Sequence, residues 1–72
     1  MTQTGIVHWF DATKGHGYIM PDSGGDDIFV QSRDLDPALR GIARNQRVEF
    51  VVTQSDRRLQ ATRVRAADDP KS

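Results

Sequence analysis

Short runs in which apolar and polar residues alternate, separated by turn-forming residues, constrain the fold of this chain more than any other feature. Alternation with a period of two is typical of half-buried β-strands, and very little of the chain is predicted to be helical. The pattern therefore predicts an all-β domain with three consecutive antiparallel strands followed by a hairpin. The five predicted strands cover residues 5–11, 16–21, 27–32, 46–54 and 59–65.

The segment between the third and fourth predicted strands, residues 33–45, is the longest irregular one. Within it, residues 36–41 are compatible with a single helical turn that begins at an Asp-Pro pair and ends at a glycine. Residues 67–72 have no apolar period and are predicted to form a flexible tail. The expected organisation is therefore one domain over residues 1–66.

Length and composition limit the class of protein. A domain of 72 residues buries only about 60% of the surface that its unfolded chain exposes. Without cysteine there is no disulfide framework or thiolate nucleophile, so we expect a cytoplasmic protein. We also expect no membrane partner, because no signal segment or membrane-spanning apolar run is present. Ten basic and ten acidic residues cancel, so folding must assemble any cationic track.

Alternation also assigns side chains to the two faces of the predicted sheet. On the face that points away from the core, Trp9, Tyr18 and Phe29 are predicted to be exposed together. Clustered surface aromatics usually mark a binding site. That face suits unpaired bases, which stack on rings. The inward positions carry enough apolar volume to fill a small closed barrel: Val7, Ile19, Ile28, Val30, Val48, Phe50, Val52 and Val64.

Three motifs resemble those of the bacterial cold-shock protein family: GIVHWFD at residues 5–11, KGHGYI at 14–19 and DIFVQ at 27–31. A looser similarity continues to about residue 65. The resemblance implies a five-stranded antiparallel Greek-key barrel of the OB-fold type. It also implies binding of single-stranded RNA or DNA with low sequence specificity, typically as an RNA chaperone or cold-induced regulator. We expect a monomer without a cofactor, with a dimer as the alternative.

The lysine-glycine-aromatic motif also occurs in RRM domains. In an RRM domain that motif is preceded by another strand and a helix, whereas the residues before Lys14 are predicted to form one strand. The order of predicted elements therefore excludes an RRM.

The resemblance also implies roles for individual residues. Trp9, Tyr18 and Phe29 correspond to rings on which the family stacks bases. Trp9 could instead anchor the core, a role that Val7 and Phe10 can fill, and the other two rings could merely pack across strands.

The charged positions carry similar alternatives. Lys14 and Arg57 correspond to family contacts with the phosphate backbone, although either could be an ordinary solvated turn residue. Asp27 corresponds to an acidic group that the family places against base edges, and a simple turn-terminating role stays open for it. The full set of predicted nucleic-acid-binding residues is His8, Trp9, Phe10, Lys14, His16, Tyr18, Asp27, Phe29, Gln31, Leu39 and Arg57.

Several positions depart from the family pattern. His16 stands where phenylalanine is usual, Gln31-Ser32 replaces histidine-phenylalanine, His8 replaces lysine, and Leu39 falls where an aromatic is common. Because each base–aromatic stack contributes roughly 1–3 kcal/mol, the loss of two rings predicts weaker binding than in a typical member. His8 and His16 also suggest that binding strengthens as the pH falls, since protonation would add positive charge beside phosphates. The alternative is two neutral surface rings.

Other functions fit the sequence less well. Gly15-His16-Gly17 lacks the third glycine and the following helix of a dinucleotide fingerprint. His8 and His16 with nearby aspartates match no recognised metal-ligand spacing. A filled barrel of this size offers no concave pocket for acid–base catalysis, so neither an enzyme nor a cofactor is expected. The main alternative is a protein-interaction or self-associating module whose aromatic face docks a partner or a second copy.

Overall fold

The structure is a computed structural model that describes residues 2–39, 41–55 and 58–67. In this part of the chain five strands form a closed barrel in the spatial order β1-β2-β3-β5-β4. This architecture confirms the predicted all-β, five-stranded barrel. The strands are β1 (Thr2–Asp11), β2 (His16–Pro21), β3 (Ile28–Gln31), β4 (Arg47–Ser55) and β5 (Arg58–Ala66), and a 3₁₀ turn (Ser32–Asp34) follows β3.

The strand directions follow from closing a ring with an odd number of members. β1 pairs antiparallel with β2 and β4, β2 with β3, and β4 with β5. Strand direction cannot alternate all the way round such a ring, so one neighbouring pair must be parallel. That pair is β3 and β5, where Phe29 lies beside Gln60 and Val30 beside Ala61. The antiparallel prediction therefore holds for every neighbouring pair except this one.

The predicted core is observed with small changes. Phe50 is the largest fully buried side chain, Ala61 joins the core, and Val52 is only partly buried against it. Glu49 and Val51 of β4 pair with Arg65 and Thr62 of β5, so the additional residue at this bulge lies in β5, and Val52 keeps the inward position that alternation along β4 gives it. The buried set is Val7, Ile19, Ile28, Val30, Val48, Phe50, Ala61 and Val64.

β1 begins earlier than the sequence predicts. Thr2, Gln3 and Thr4 pair with β4, although these three polar residues show no apolar alternation. Pairing with a strand far along the chain, not local pattern, makes them part of the sheet.

The predicted helical turn at residues 36–41 is an ordinary turn instead. The Leu39 N–H donates to the Asp36 carbonyl at 2.7 Å, and the Ala38 N–H donates to the Asp36 carboxylate at 2.8 Å. The Asp36 carboxylate thus accepts an N–H as an N-cap residue does, but only Pro37 and Ala38 form the turn, and the backbone is already irregular at Leu39. Arg40 lies outside the described residues.

The carboxyl end of the barrel extends slightly beyond the predicted domain. The Ala67 N–H donates to the Arg47 carbonyl at 3.1 Å, so this residue is still attached to the sheet. Residues 68–72 of the predicted tail lie outside the described residues. Over the described ranges, no helix has both the length and the apolar character that a membrane span requires.

Candidate nucleic-acid interface

Four ring-bearing side chains lie together on the outer face of β1, β2 and β3. Strand register places Trp9 beside Tyr18 and Tyr18 beside Phe29, with ring centroids 5.6 Å and 5.7 Å apart. The His16 centroid lies 5.8 Å from that of Trp9 and 5.9 Å from that of Phe29. These separations are typical of aromatic rings in contact. We call Trp9, His16, Tyr18 and Phe29 the ring cluster.

A β-bulge in β1 turns Trp9 onto this face. In a regular strand Val7 and Trp9, two residues apart, would point the same way. The register of β1 against β2 shifts between these two residues, which makes His8 an additional residue. Val7 is consequently fully buried, whereas Trp9 is 37% exposed. The exposure predicted for Trp9 is confirmed, but for a reason that alternation alone does not supply.

The same bulge sends Phe10 toward the interior. Phe10 is partly buried and packs against the core, so it lies outside the ring cluster and not on the face where binding was predicted. Leu39 is also outside the cluster, half-buried in the turn that begins at Asp36. The structure therefore does not bring these two predicted residues together with the four rings.

Gly17 allows β1 and β2 to approach closely at this point. It pairs with Phe10, and a Cβ atom on Gly17 would lie 2.2 Å from the Trp9 carbonyl oxygen and 2.7 Å from the Phe10 Cα. Any side chain would push the strands apart. The glycine thus keeps Trp9 in contact with His16, which precedes Gly17.

Lys14 lies in the turn that joins β1 to β2. The Asp11 carboxylate accepts the Lys14 N–H at 3.1 Å, and the Asp11 carbonyl accepts the Gly15 N–H at 2.7 Å. The Ser32 N–H donates to the Gly15 carbonyl at 2.8 Å, which attaches the turn to the end of β3. These bonds fix the backbone of the turn, and the exposed Lys14 side chain leaves it two residues before His16.

His8 and Asp27 form a direct contact beside the ring cluster. The His8 Nδ1 and the Asp27 Oδ2 are 2.6 Å apart, and both side chains are partly exposed. The contact ties the bulge of β1 to the residue that precedes β3. Asp27 therefore already occupies one nitrogen of the His8 ring. The proposed pH dependence stays a prediction.

Gln31 is held by a side-chain network at the other end of β3. It lies beside His16 in the β2–β3 register. The Gln60 Nε2 donates to the Gln31 Oε1 at 3.3 Å and to the Asp34 Oδ2 at 2.6 Å. A polar amide is thus fixed next to His16 in the register.

Arg58 is a neighbour of the ring cluster that sequence reasoning missed. Its Cζ atom lies over the Phe29 ring, 4.4 Å from the centroid. The parallel pairing of β3 with β5 brings the first residue of β5 to this position, and no local pattern indicates that pairing. Arg57, the predicted phosphate contact, lies outside the described residues.

A depression of about 380 Å³ opens beside Arg58 and Phe29. Apolar, amide and carboxylate groups line it, so it can contact both the face and the polar edge of a planar molecule. The remaining lining residues are Tyr18, Asp26, Asp27, Gln54 and Leu59.

A second ion pair lies at another place on the barrel. The Asp22 carboxylate accepts hydrogen bonds from Arg47 at 2.8 Å and from Thr4 at 2.6 Å. The Arg47 hydrogen bond, followed by the one from Thr4, lowers the pKa of Asp22 below its ordinary value. None of these residues belongs to the ring cluster.

Comparison with known proteins identifies the family. Residues 3–67, nearly the whole chain, match the family described as the 'Cold-shock' DNA-binding domain. The chain belongs to this cold-shock domain family. It is a family of nucleic-acid-binding domains and not of enzymes.

Individual relatives agree with this assignment. The chain is 38% identical over 63 residues to Cold shock-like protein CspA of Bordetella pertussis, covering 86% of this chain and 94% of that protein. It is 44% identical over 62 residues to Cold shock-like protein CspG of Shewanella violacea, covering 85% and 89%. Probable cold shock protein A of Mycolicibacterium smegmatis is 45% identical over 62 residues, with coverage of 85% and 92%.

A solved structure shows the same fold. Drosophila Unr CSD456 superposes on the whole of this chain with a TM-score of 0.83 and 24% identity, and this chain spans 29% of that longer chain. The likeness supports the OB-fold barrel.

Proposed function

We propose that this domain binds single-stranded RNA or DNA with low sequence specificity by stacking bases on the ring cluster. The observation that carries the proposal is the contact of four rings on one outer sheet face. Each base–aromatic stack is worth about 1–3 kcal/mol, and every base has a π-face. Affinity can therefore come from the rings without readout of sequence.

Cations beside the cluster supply the contacts to phosphate. Lys14 is exposed in the turn before His16, and Arg58 lies over Phe29. His16 keeps a ring in the cluster at the position where the family usually has phenylalanine. The stacking surface lost relative to a typical member is therefore smaller than two complete rings. We still expect weaker binding than in typical members, since an imidazole offers a smaller stacking face than a phenyl ring.

This mode of binding leads directly to an RNA chaperone activity. A base can lie on the ring cluster only when it is unpaired, so the domain binds open strands and not duplexes. A ligand that binds one state more tightly shifts the equilibrium toward that state. The domain would thus open weak hairpins without consuming ATP.

Fluorescence of Trp9, the single tryptophan, tests the proposal. We expect quenching by a heptamer of deoxythymidine or uridine and much less by a duplex of equal length. Binding of a dye-labelled heptamer, followed by anisotropy, should weaken by about 1–3 kcal/mol in Trp9→Ala and in Tyr18→Ala. Met20→Ala is the matched control, because Met20 is as exposed as Trp9, at 37%, but has no ring. Equal responses to single strands and duplexes would contradict the proposal.

A protein-interaction or self-associating module is the second candidate. Trp9, Met20 and Leu59 are large apolar side chains that the structure leaves exposed, and the formal net charge is zero. An apolar protein interface responds little to salt, whereas phosphate contacts weaken steeply as salt is added. Mass measured over a range of protein concentrations, with and without oligonucleotide, separates the two functions.

A further inference from the structure

Phe29 differs from the other members of the ring cluster because a cation covers it. Arg58 Cζ lies 4.4 Å from the Phe29 centroid, and in the described residues no other ring of the cluster has a guanidinium at such a distance. Optimal contact between stacked groups is about 3.5–4.0 Å. A base therefore cannot enter between Arg58 and Phe29 while the guanidinium holds this position.

A guanidinium on a ring is itself a surface for stacking. It is planar, it stacks on aromatic faces, and its N–H groups at the rim remain available to phosphate or to base acceptors. Bases stack on arginine planes as well as on aromatic side chains. The Phe29 ring would then serve as the support that holds the Arg58 side chain extended, while the solvent side of the guanidinium meets the base.

The adjacent depression provides the space for such a base. Its volume of about 380 Å³ falls within the range of about 300–1,000 Å³ that is typical of small-molecule sites. Leu59 and Tyr18 supply apolar wall, and Gln54 supplies an amide. The Asp26 carboxylate, also in the lining, opposes entry of a phosphate group, so a neutral base is the part of a nucleotide that fits.

We propose that Arg58, supported by Phe29, is a base-stacking residue, and that one base of the bound strand lies against it in this depression. The inference rests on the proposed binding of single strands and adds a residue to it. Arg58 then contributes in two ways, through the stack and through its charge, whereas Trp9 and Tyr18 contribute through the stack alone.

The opposite role for Arg58 is that of a cover. In that case its side chain would have to leave Phe29 before a base could bind, and removing it would strengthen binding. The sign of the effect of Arg58→Ala therefore distinguishes the two roles.

The test is anisotropy of a dye-labelled single-stranded heptamer at several salt concentrations. Arg58→Ala should weaken binding about 5- to 150-fold and reduce the slope of log K against log salt by about 0.7. Arg58→Lys should keep the slope but stay weaker than the wild type, because an ammonium group is not planar. Arg58 is exposed, so both variants should keep the wild-type melting temperature.

Arg63→Ala is the charge-matched control. Arg63 lines a separate depression with Thr2, Asp36 and Glu49, which shares no residue with the depression at Arg58. This variant should bind within about twofold of the wild type.

A double variant tests the support role of Phe29. Phe29→Leu combined with Arg58→Ala should lose less than the sum of the two single changes, because either change already removes the stack. Additive losses would contradict the support role.

Several results would overturn the role of Arg58. These are unchanged or tighter binding by Arg58→Ala, equal losses in Arg58→Ala and Arg63→Ala, or full rescue by Arg58→Lys. A wild-type protein that does not bind the heptamer at all would instead refute the proposed function itself.

Discussion

Substitution of Gly17 by alanine tests the geometry that creates the ring cluster. The added Cβ would lie 2.2 Å from the Trp9 carbonyl oxygen, whereas ordinary contact begins near 3.4 Å. The two nearest atoms, the Trp9 carbonyl oxygen and the Phe10 Cα, both belong to the backbone and not to the flexible end of a side chain. The β1 backbone would therefore have to withdraw by about 1 Å. Overpacking typically costs about 1–3 kcal/mol, and contact with backbone on the paired strand predicts the upper end, about 3 kcal/mol.

That cost is large for a domain of this size. At about 0.05–0.15 kcal/mol per residue, the free energy of unfolding is expected to be only about 4–11 kcal/mol. With a urea dependence near 1 kcal/mol per molar, Gly17→Ala should lower the unfolding midpoint by about 3 M. The fraction that still folds should bind single strands more weakly, because Trp9 and His16 are moved apart.

Gly41→Ala is the control for this prediction. A Cβ on Gly41 would meet nothing within 4 Å, and Gly41 has no positive φ. Alanine there should be neutral or stabilise the domain by roughly 0.4–1 kcal/mol, through the unfolded state. Urea unfolding of both variants, followed by circular dichroism, gives the comparison. Equal midpoints for Gly17→Ala and Gly41→Ala would refute the close approach of β1 and β2.

Two further predictions concern stability. The lowered pKa of Asp22, caused first by the hydrogen bond from Arg47, means that the folded state favours the carboxylate. Its contribution is present above the unfolded pKa of about 3.9 and is lost as the pH falls through the lower folded value. Melting temperatures between about pH 6 and 2 should therefore decline less steeply in Asp22→Asn than in the wild type, and parallel declines would count against this contribution. Phe50 is fully buried, so Phe50→Ala should cost about 3–5 kcal/mol in urea unfolding; a loss below 1 kcal/mol would mean that Phe50 is not the centre of the core.

The strands and the core could be predicted because they depend on local pattern. In β2, Ile19 is inward and Tyr18 outward, as a period of two requires. In β3, Ile28 and Val30 are buried on either side of Phe29. Here every residue obeys the same alternation, so pairing with neighbouring strands only reinforces what the sequence specifies.

The remaining features depend on contacts between distant parts of the chain. The bulge at His8 changes which residues of β1 face outward, and a single inserted residue leaves no local signature. The pairing of Thr2 with β4 and of β3 with β5 likewise joins segments far apart in the sequence. This is why Phe10 was predicted on the binding face and why Arg58 was not predicted there.

The neutral net charge does not weigh against nucleic-acid binding, because a phosphate responds to charges near it and not to the total. At physiological salt, exposed charges more than about 8 Å apart are largely screened from one another. Glu49 is paired with Arg65 and Asp22 with Arg47, and none of these four belongs to the ring cluster. Among the described residues, Lys14 and Arg58 are the cations named beside the rings, so in the proposed mode of binding we expect electrostatics to contribute a modest share of the affinity and stacking the larger one. Binding governed in this way tolerates salt better than binding by a strongly basic domain, and it depends more on the backbone geometry that holds the rings together.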